Sequence, residues 1–135
     1  MIENAIRGRL LDSTGVTALI GSSSSARAYH LRLPEGVTLP AVTYQRISRV
    51  GFPDYAGDTD LATRRIQVDS WAGTGESAAS LGEEIRKSLD GFRGTVATVA
   101  IRGAFLVDEA QEYEVETGLH RLRQDFMVSH SEEVA

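Results

Sequence analysis

Five carboxylates crowd one stretch of this 135-residue chain: Asp108, Glu109, Glu112, Glu114 and Glu116. General acid–base chemistry needs two carboxyls whose surroundings drive their pKa values apart, which takes burial and a cleft. The alternation Glu112-Tyr113-Glu114-Val115-Glu116 predicts something else: a strand with Tyr113 and Val115 turned inward and three glutamates turned to water. Such a strip is either a solvated edge or an acidic docking strip or wall. Reversing its charges should then leave folding nearly intact. The Asp-x-Asp-x-Asp-Gly spacing of a calcium loop is missing.

Arginine makes the second concentration. Thirteen of the 14 basic residues are Arg, and Lys87 is the exception. Arg46, Arg49, Arg64, Arg65, Arg121 and Arg123 invite a nucleic-acid reading, but they are interleaved with acids. Aromatic residues are only 7% of the chain, and its net charge of −5 opposes counterion release. Salt bridges between strands or subunits account for them better, since guanidinium forks pair well with carboxylates. A third feature is the loop Gly51 to Asp60, where Phe52 and Tyr55 stand among Pro53, Asp54, Asp58 and Asp60. Aromatics in a polar loop either fold back on the core or are kept for a partner. Phe52, Asp54, Tyr55, Asp58, Arg64, Arg65 and the five acids are the candidate contact or lumen-facing residues.

Other chemistry finds no support. No cysteine is present, so disulfides and thiolate chemistry are excluded. Gly-x-Ser-x-Gly, His-Glu-x-x-His and Gly-x-Gly-x-x-Gly are all missing. Lys87 follows Arg86, which excludes a phosphate loop ending in Gly-Lys-Ser/Thr. His30, His120 and His130 lie too far apart in sequence to announce a metal centre. The expectation is a protein without catalytic residues, metal or cofactor. No apolar run approaches the roughly 20 residues that span a bilayer, so no membrane role is expected. Met1-Ile2-Glu3-Asn4 has neither block of a signal peptide.

These residues need a scaffold, and the composition supplies one. Apolar residues are 41% and charged residues 24%, ordinary globular usage for one domain over residues 1–135. Ile2, Ile6 and Leu10 recur every four positions and predict a short amphipathic helix. A second short turn follows, capped by Ser13 or Thr14 and ended by Gly21, completing helices over 1–21. The period then changes to two, predicting strands over 26–71 around the long loop 51–60. Arg27–Leu31, Ala41–Val50 and Leu61–Trp71 are these strands. The clearest helix spans 74–90, with Thr74 as N-cap, Ala78, Leu81, Ile85 and Leu89 on one face, and Gly91 as its stop. Strands return over 95–130: Thr95–Arg102, a bend or bulge at Gly103, Ala104–Val107, Glu112–Glu116 and Leu119–Ser129. The sum is an α+β fold, an antiparallel β-sheet with two helical segments packed on one face.

Four blocks in order carry a family likeness. They are Leu39-Pro40-Ala41-Val42-Thr43-Tyr44-Gln45-Arg46-Ile47-Ser48, Arg65-Ile66-Gln67-Val68-Asp69-Ser70-Trp71-Ala72, Leu89-Asp90-Gly91-Phe92-Arg93-Gly94, and Glu116-Thr117-Gly118-Leu119-His120-Arg121 followed by Asp125-Phe126. Together they resemble the tail terminator (tail completion, or head–tail joining) proteins of long-tailed phages and prophages. The resemblance implies a structural virion protein at the head–tail junction, made in the host cytoplasm. It implies a ring, typically a hexamer of identical copies, that caps the tail tube and stops its polymerisation. The implied partners are the tail tube protein and the head connector or stopper protein, with DNA passing through the ring without sequence-specific binding. A head–connector adaptor or stopper, or a minor tail protein, is the alternative. No residue-level site comes with the likeness.

Overall fold

In the computed structural model the described residues are 2–51 and 61–131, with the side chains of 48–51 and 61 left aside. Three α-helices and six strands follow the order α1 (Ile2–Leu11), α2 (Thr14–Ile20), β1 (Ala28–His30), β2 (Ala41–Gly51), β3 (Leu61–Ala72), α3 (Gly75–Leu89), β4 (Gly94–Val96), β5 (Val99–Glu114), β6 (Leu119–Ser131). One sheet holds all six strands in the spatial order β1-β2-β3-β6-β5-β4.

The helix ends follow their caps. The Ser13 hydroxyl accepts from the Val16 N–H (3.3 Å) to start α2, and Thr74 accepts from the Ser77 N–H (3.1 Å) to start α3. Gly91, with φ of +81°, turns the chain away after α3. Ala78, Leu81, Ile85 and Leu89 are buried as the helical period requires. Leu81, Ile85 and Leu89 share one apolar cluster with Ile66 and Val68 of β3 and Phe126 and Val128 of β6. Ile2, Ile6 and Leu10 of α1 and Val16 and Ile20 of α2 extend the same layer. Arg9 fastens α1 to α3: its Nε donates to the Ser88 carbonyl (2.8 Å), and its guanidinium lies 4.0 Å from the Phe92 ring centre. Burial works against the charge on Glu3, but a backbone N–H and the Arg46 guanidinium (2.9 Å) outweigh it and lower its pKa.

Where α3 crosses β6, the helix has no side chain. A Cβ on Gly82 would lie 2.0 Å from Leu122 Cδ2, inside any van der Waals contact. The bare backbone there lets buried Gln124 donate to the Gly82 carbonyl (3.0 Å) and to Glu109 Oε1 (2.9 Å). One amide thus ties the helix layer to two strands.

Two sequence expectations are corrected. The sheet is mixed, because β1 pairs with β2 in parallel. The ten residues between them, 31–40, return along the sheet rather than closing a hairpin. The helices are as expected, α1 and α2 making up the N-terminal segment and α3 the second. Thr95–Arg102 is also two strands, not one: Ala97 and Thr98, both with positive φ (48° and 66°), make a two-residue turn between β4 and β5. The expected break at Gly103 is present as a register shift between Ile101 and Gly103, and a second lies between Leu106 and Asp108.

Candidate assembly interface

The sheet face turned away from the helices carries the charge. The β3 residues Arg65, Gln67, Asp69 and Trp71 pair with Met127, Asp125, Arg123 and Arg121 of β6 in turn. The β5 residues Asp108, Ala110 and Glu112 pair with Asp125, Arg123 and Arg121 in turn. Side chains alternate by face, so these groups form a charged lattice across three strands. Arg65 donates twice to Asp125 Oδ2, from Nε (2.9 Å) and Nη2 (2.7 Å). Arg123 reaches Asp108 (3.1 Å) and Glu112 (3.5 Å), and Arg121 grips Glu112 and lies 3.7 Å from Asp69. Arg121 also covers the Trp71 ring, whose Nε1 donates to Thr43 Oγ1 (2.9 Å).

Asp69 is only 4% exposed, and burial pushes its carboxyl above the ordinary aspartate range. Gln67, which donates to both oxygens, and Arg121 offset this in part, while neighbouring Asp125 adds to it. The unfolded chain therefore releases this proton at lower pH than the folded one, so Asp69 costs stability as pH rises through that interval. Asp69→Asn should gain on the parent chain between acid pH and pH 7, read from urea midpoints across pH. A gain equal at every pH would contradict the assignment.

The candidate residues do not form a single surface. Arg65, Asp108 and Glu112 meet in the lattice, while Arg64 is half-buried and pairs in register with Val128 on the helix side. Glu109 turns to the helix side and accepts from Gln124. Glu114 accepts from Thr117 within the β5–β6 turn (3.1 Å), and Glu116 is exposed in that turn. Phe52, Asp54, Tyr55 and Asp58 lie outside the described residues.

The inward placement of Tyr113 and Val115 is corrected, since they are 55% and 83% exposed while Glu112 and Glu114 are half-buried. The turn arm runs to the N-terminal end of α3, where Gly75 faces the His120 ring, and the Tyr113 ring lies 4.8 Å from that ring. Charge reversal across the strip is accordingly not neutral. Glu112→Lys sets a third cation against Arg121 and Arg123 and should cost more than the roughly 0.5 kcal/mol of an ordinary surface change. Glu116→Lys should stay within that figure. Thermal melts of the two variants make the comparison, and equal losses would contradict it.

Sequence reasoning missed Arg121, Arg123, Asp125 and Asp69 as one constellation. The alternation was visible, but the register that joins them was not. It also missed the exposed apolar side chains Phe105 and Val107 on β5 and Ile47 on β2. A cleft of about 460 Å³ opens beside the charged lattice, with Leu31, Pro34, Val37, Leu39, Trp71 and Leu119 in its wall. Among the described residues no group of three or more His, Asp or Glu is placed to hold a metal ion.

The arrangement is a salt-bridged sheet face with exposed apolar side chains at Ile47, Phe105 and Val107. No curated protein matches the chain. Its fold is similar to that of a chain in the solved structure titled "Virion of native gene transfer agent (GTA) particle". The TM-score is 0.78 at 13% identity, over 95% of this chain and 92% of that one. In sequence, residues 4–131 match the family described as tail completion protein gp17. That match takes in every strand and the whole of α2 and α3, and the chain belongs to the tail completion protein gp17 family.

Proposed function

We propose that this chain is a structural virion protein of the head–tail junction. Copies form a ring on the finished end of the tail tube, stop further polymerisation, and offer the surface to which the head connector joins. Membership of the tail completion family is the observation that carries this reading. The salt-bridged sheet supports it, because a cap must hold its shape under load without doing chemistry. In a hexamer, the exposed acids Asp108, Glu109 and Glu116 and the loop with Phe52, Asp54, Tyr55 and Asp58 supply contact or lumen surfaces. Acidic walls repel DNA, so a duplex slides through without sticking. Facing arginines on a neighbouring ring give orientation to the joint.

The test is polymerisation of purified tail tube protein with increasing amounts of this chain. Capping predicts tubes that shorten as the chain is added, each with a ring at one end. Tubes of unchanged length, with the chain bound instead to portal protein, would make it a head–connector adaptor.

A further inference from the structure

The two long outer strands of the sheet are each covered at one end only. On β2, β1 pairs with Val42, Thr43 and Tyr44, and the Leu31 N–H donates to the Tyr44 carbonyl (3.0 Å). Beyond Tyr44, β2 has no outer neighbour among the described residues. On β5, β4 covers Val99 to Ile101. The turn after α3 covers the next stretch: the Gly91 N–H donates to the Ala104 carbonyl (2.6 Å), and the Leu106 N–H donates to Asp90 Oδ1 (3.0 Å). The Glu109 N–H is taken by Asp108 Oδ1 (3.0 Å). From Ala110 to Glu114, β5 meets only β6 among the described residues. Open strand edges of this kind are templates for another strand.

We infer that neighbouring copies of this chain join through these edges, Ala110–Glu114 of one copy adding to Gln45–Gly51 of the next. The inference rests on the ring reading and gives it a contact. Three observations select a second copy as the occupant.

The first is charge. Ala110–Glu114 carries Glu112 and Glu114 and no base, whereas Gln45–Gly51 carries Arg46 and Arg49 and no acid. Joining β5 to β5 would set acids against acids, which cross-strand pairing disfavours. Joining β5 to β2 instead brings Glu114 level with Arg46, whose guanidinium also holds Glu3 of its own copy. Such a contact uses two different patches, so its repetition gives a ring where the rotation closes and a filament where it does not.

Strand direction is the second. Each of the pairs β2–β3, β3–β6 and β6–β5 is antiparallel, so β5 runs opposite to β2. Copies repeated with the same face outward therefore bring β5 to the next β2 antiparallel.

The third is level. Glu112 stands level with Arg121, Trp71 and Ala41 across the sheet, whereas the open stretch of β2 is centred on Ser48. With the irregularity between Arg46 and Ser48 subtracted, the copies must be offset along the strands by about 20 Å. Four strands at about 4.8 Å each make a repeat about 19 Å wide. An offset that nearly equals the width means a strand tilt of about 45°, at the top of the roughly 35–45° of closed barrels. The diagonal placement of the two open edges is what a closed, tilted sheet needs.

Because the chain has no cysteine, engineered thiols report alone. Ile47→Cys and Tyr113→Cys, both at exposed positions, place one thiol on each edge. The double variant, mixed with tail tube protein and treated with a short bis-maleimide, should give a ladder ending in a closed species on a denaturing gel. Each single variant should stay monomeric there. Far-UV circular dichroism and melting check the fold, and Gln45→Cys with Val115→Cys serves if the first pair does not fold. Dimers from Tyr113→Cys alone would overturn the inference in favour of a β5–β5 contact. Rings seen by microscopy without a ladder in either pair would overturn the edge contact and leave the ring standing. No ring of the parent chain on tail tube protein would remove the ring reading itself.

Discussion

Replacing Phe126 by alanine should cost about 3–5 kcal/mol of stability, the range for removing a fully buried aromatic ring. Phe126 is 0% exposed on β6, between Ile66 of β3 and Leu106 of β5, in the same cluster as Leu81 and Ile85 of α3. Strands on both sides and the helix layer above hold the surrounding atoms, so the site cannot collapse to refill the lost volume. Phe105 is the control. It lies on β5 opposite Met127, on the face away from the helices, and is 58% exposed. Phe105→Ala should cost about 0.5 kcal/mol in the isolated chain, as exposed substitutions do. Urea unfolding of both variants decides the matter, and equal losses would mean that the two faces of the sheet have been exchanged.

Arg65→Met should also be costly, by about 2–3 kcal/mol. An exposed ion pair is worth about 0–1 kcal/mol, and breaking a fully buried one costs about 3–5. The Arg65–Asp125 pair lies between those limits: the arginine side chain is 35% exposed and the aspartate 8%. Removing the guanidinium strips two hydrogen bonds from a carboxylate that water barely reaches, leaving it the Arg123 Nε at 3.9 Å. Asp125→Asn in the Arg65→Met background should recover part of the loss, because it removes the stranded charge. A double-mutant cycle reads this directly, and strictly additive losses would contradict the pairing.

What was legible in the sequence depended on how local the determining physics is. The α3 helix could be read almost to the residue, because Thr74, the Ala78–Leu81–Ile85–Leu89 stripe and Gly91 each act within one or two turns of chain. The alternation of Ile66 and Val68 against Arg65, Gln67 and Asp69 likewise placed β3 correctly on its two faces. The parallel β1 was not legible, since three residues carry no periodicity and the partner is chosen by a ten-residue return. Nor was the Ala97–Thr98 turn, which lacks the Asn or Gly that would advertise positive φ. The burial expected on β5 failed for a third reason. The alternation places Glu112 among the arginines of β6 and Tyr113 on the helix side with Glu109, but burial also needs cover, and Tyr113 stays 55% exposed beside His120. The lattice of Arg65, Asp125, Arg123, Glu112 and Arg121 depends on register across three strands separated by up to 60 residues. Composition announced the charges, but only pairing shows that they neutralise one another.

The central claim is that this chain ends the tail tube and joins it to the head. Electron microscopy of particles assembled with and without the chain tests it most directly. With the chain, tails of uniform length should carry a ring of density at the end that meets the head. Without it, tubes should grow past that length and remain separate from filled heads. Tails of normal length joined to heads in its absence, or density for the chain away from the junction, would contradict the account.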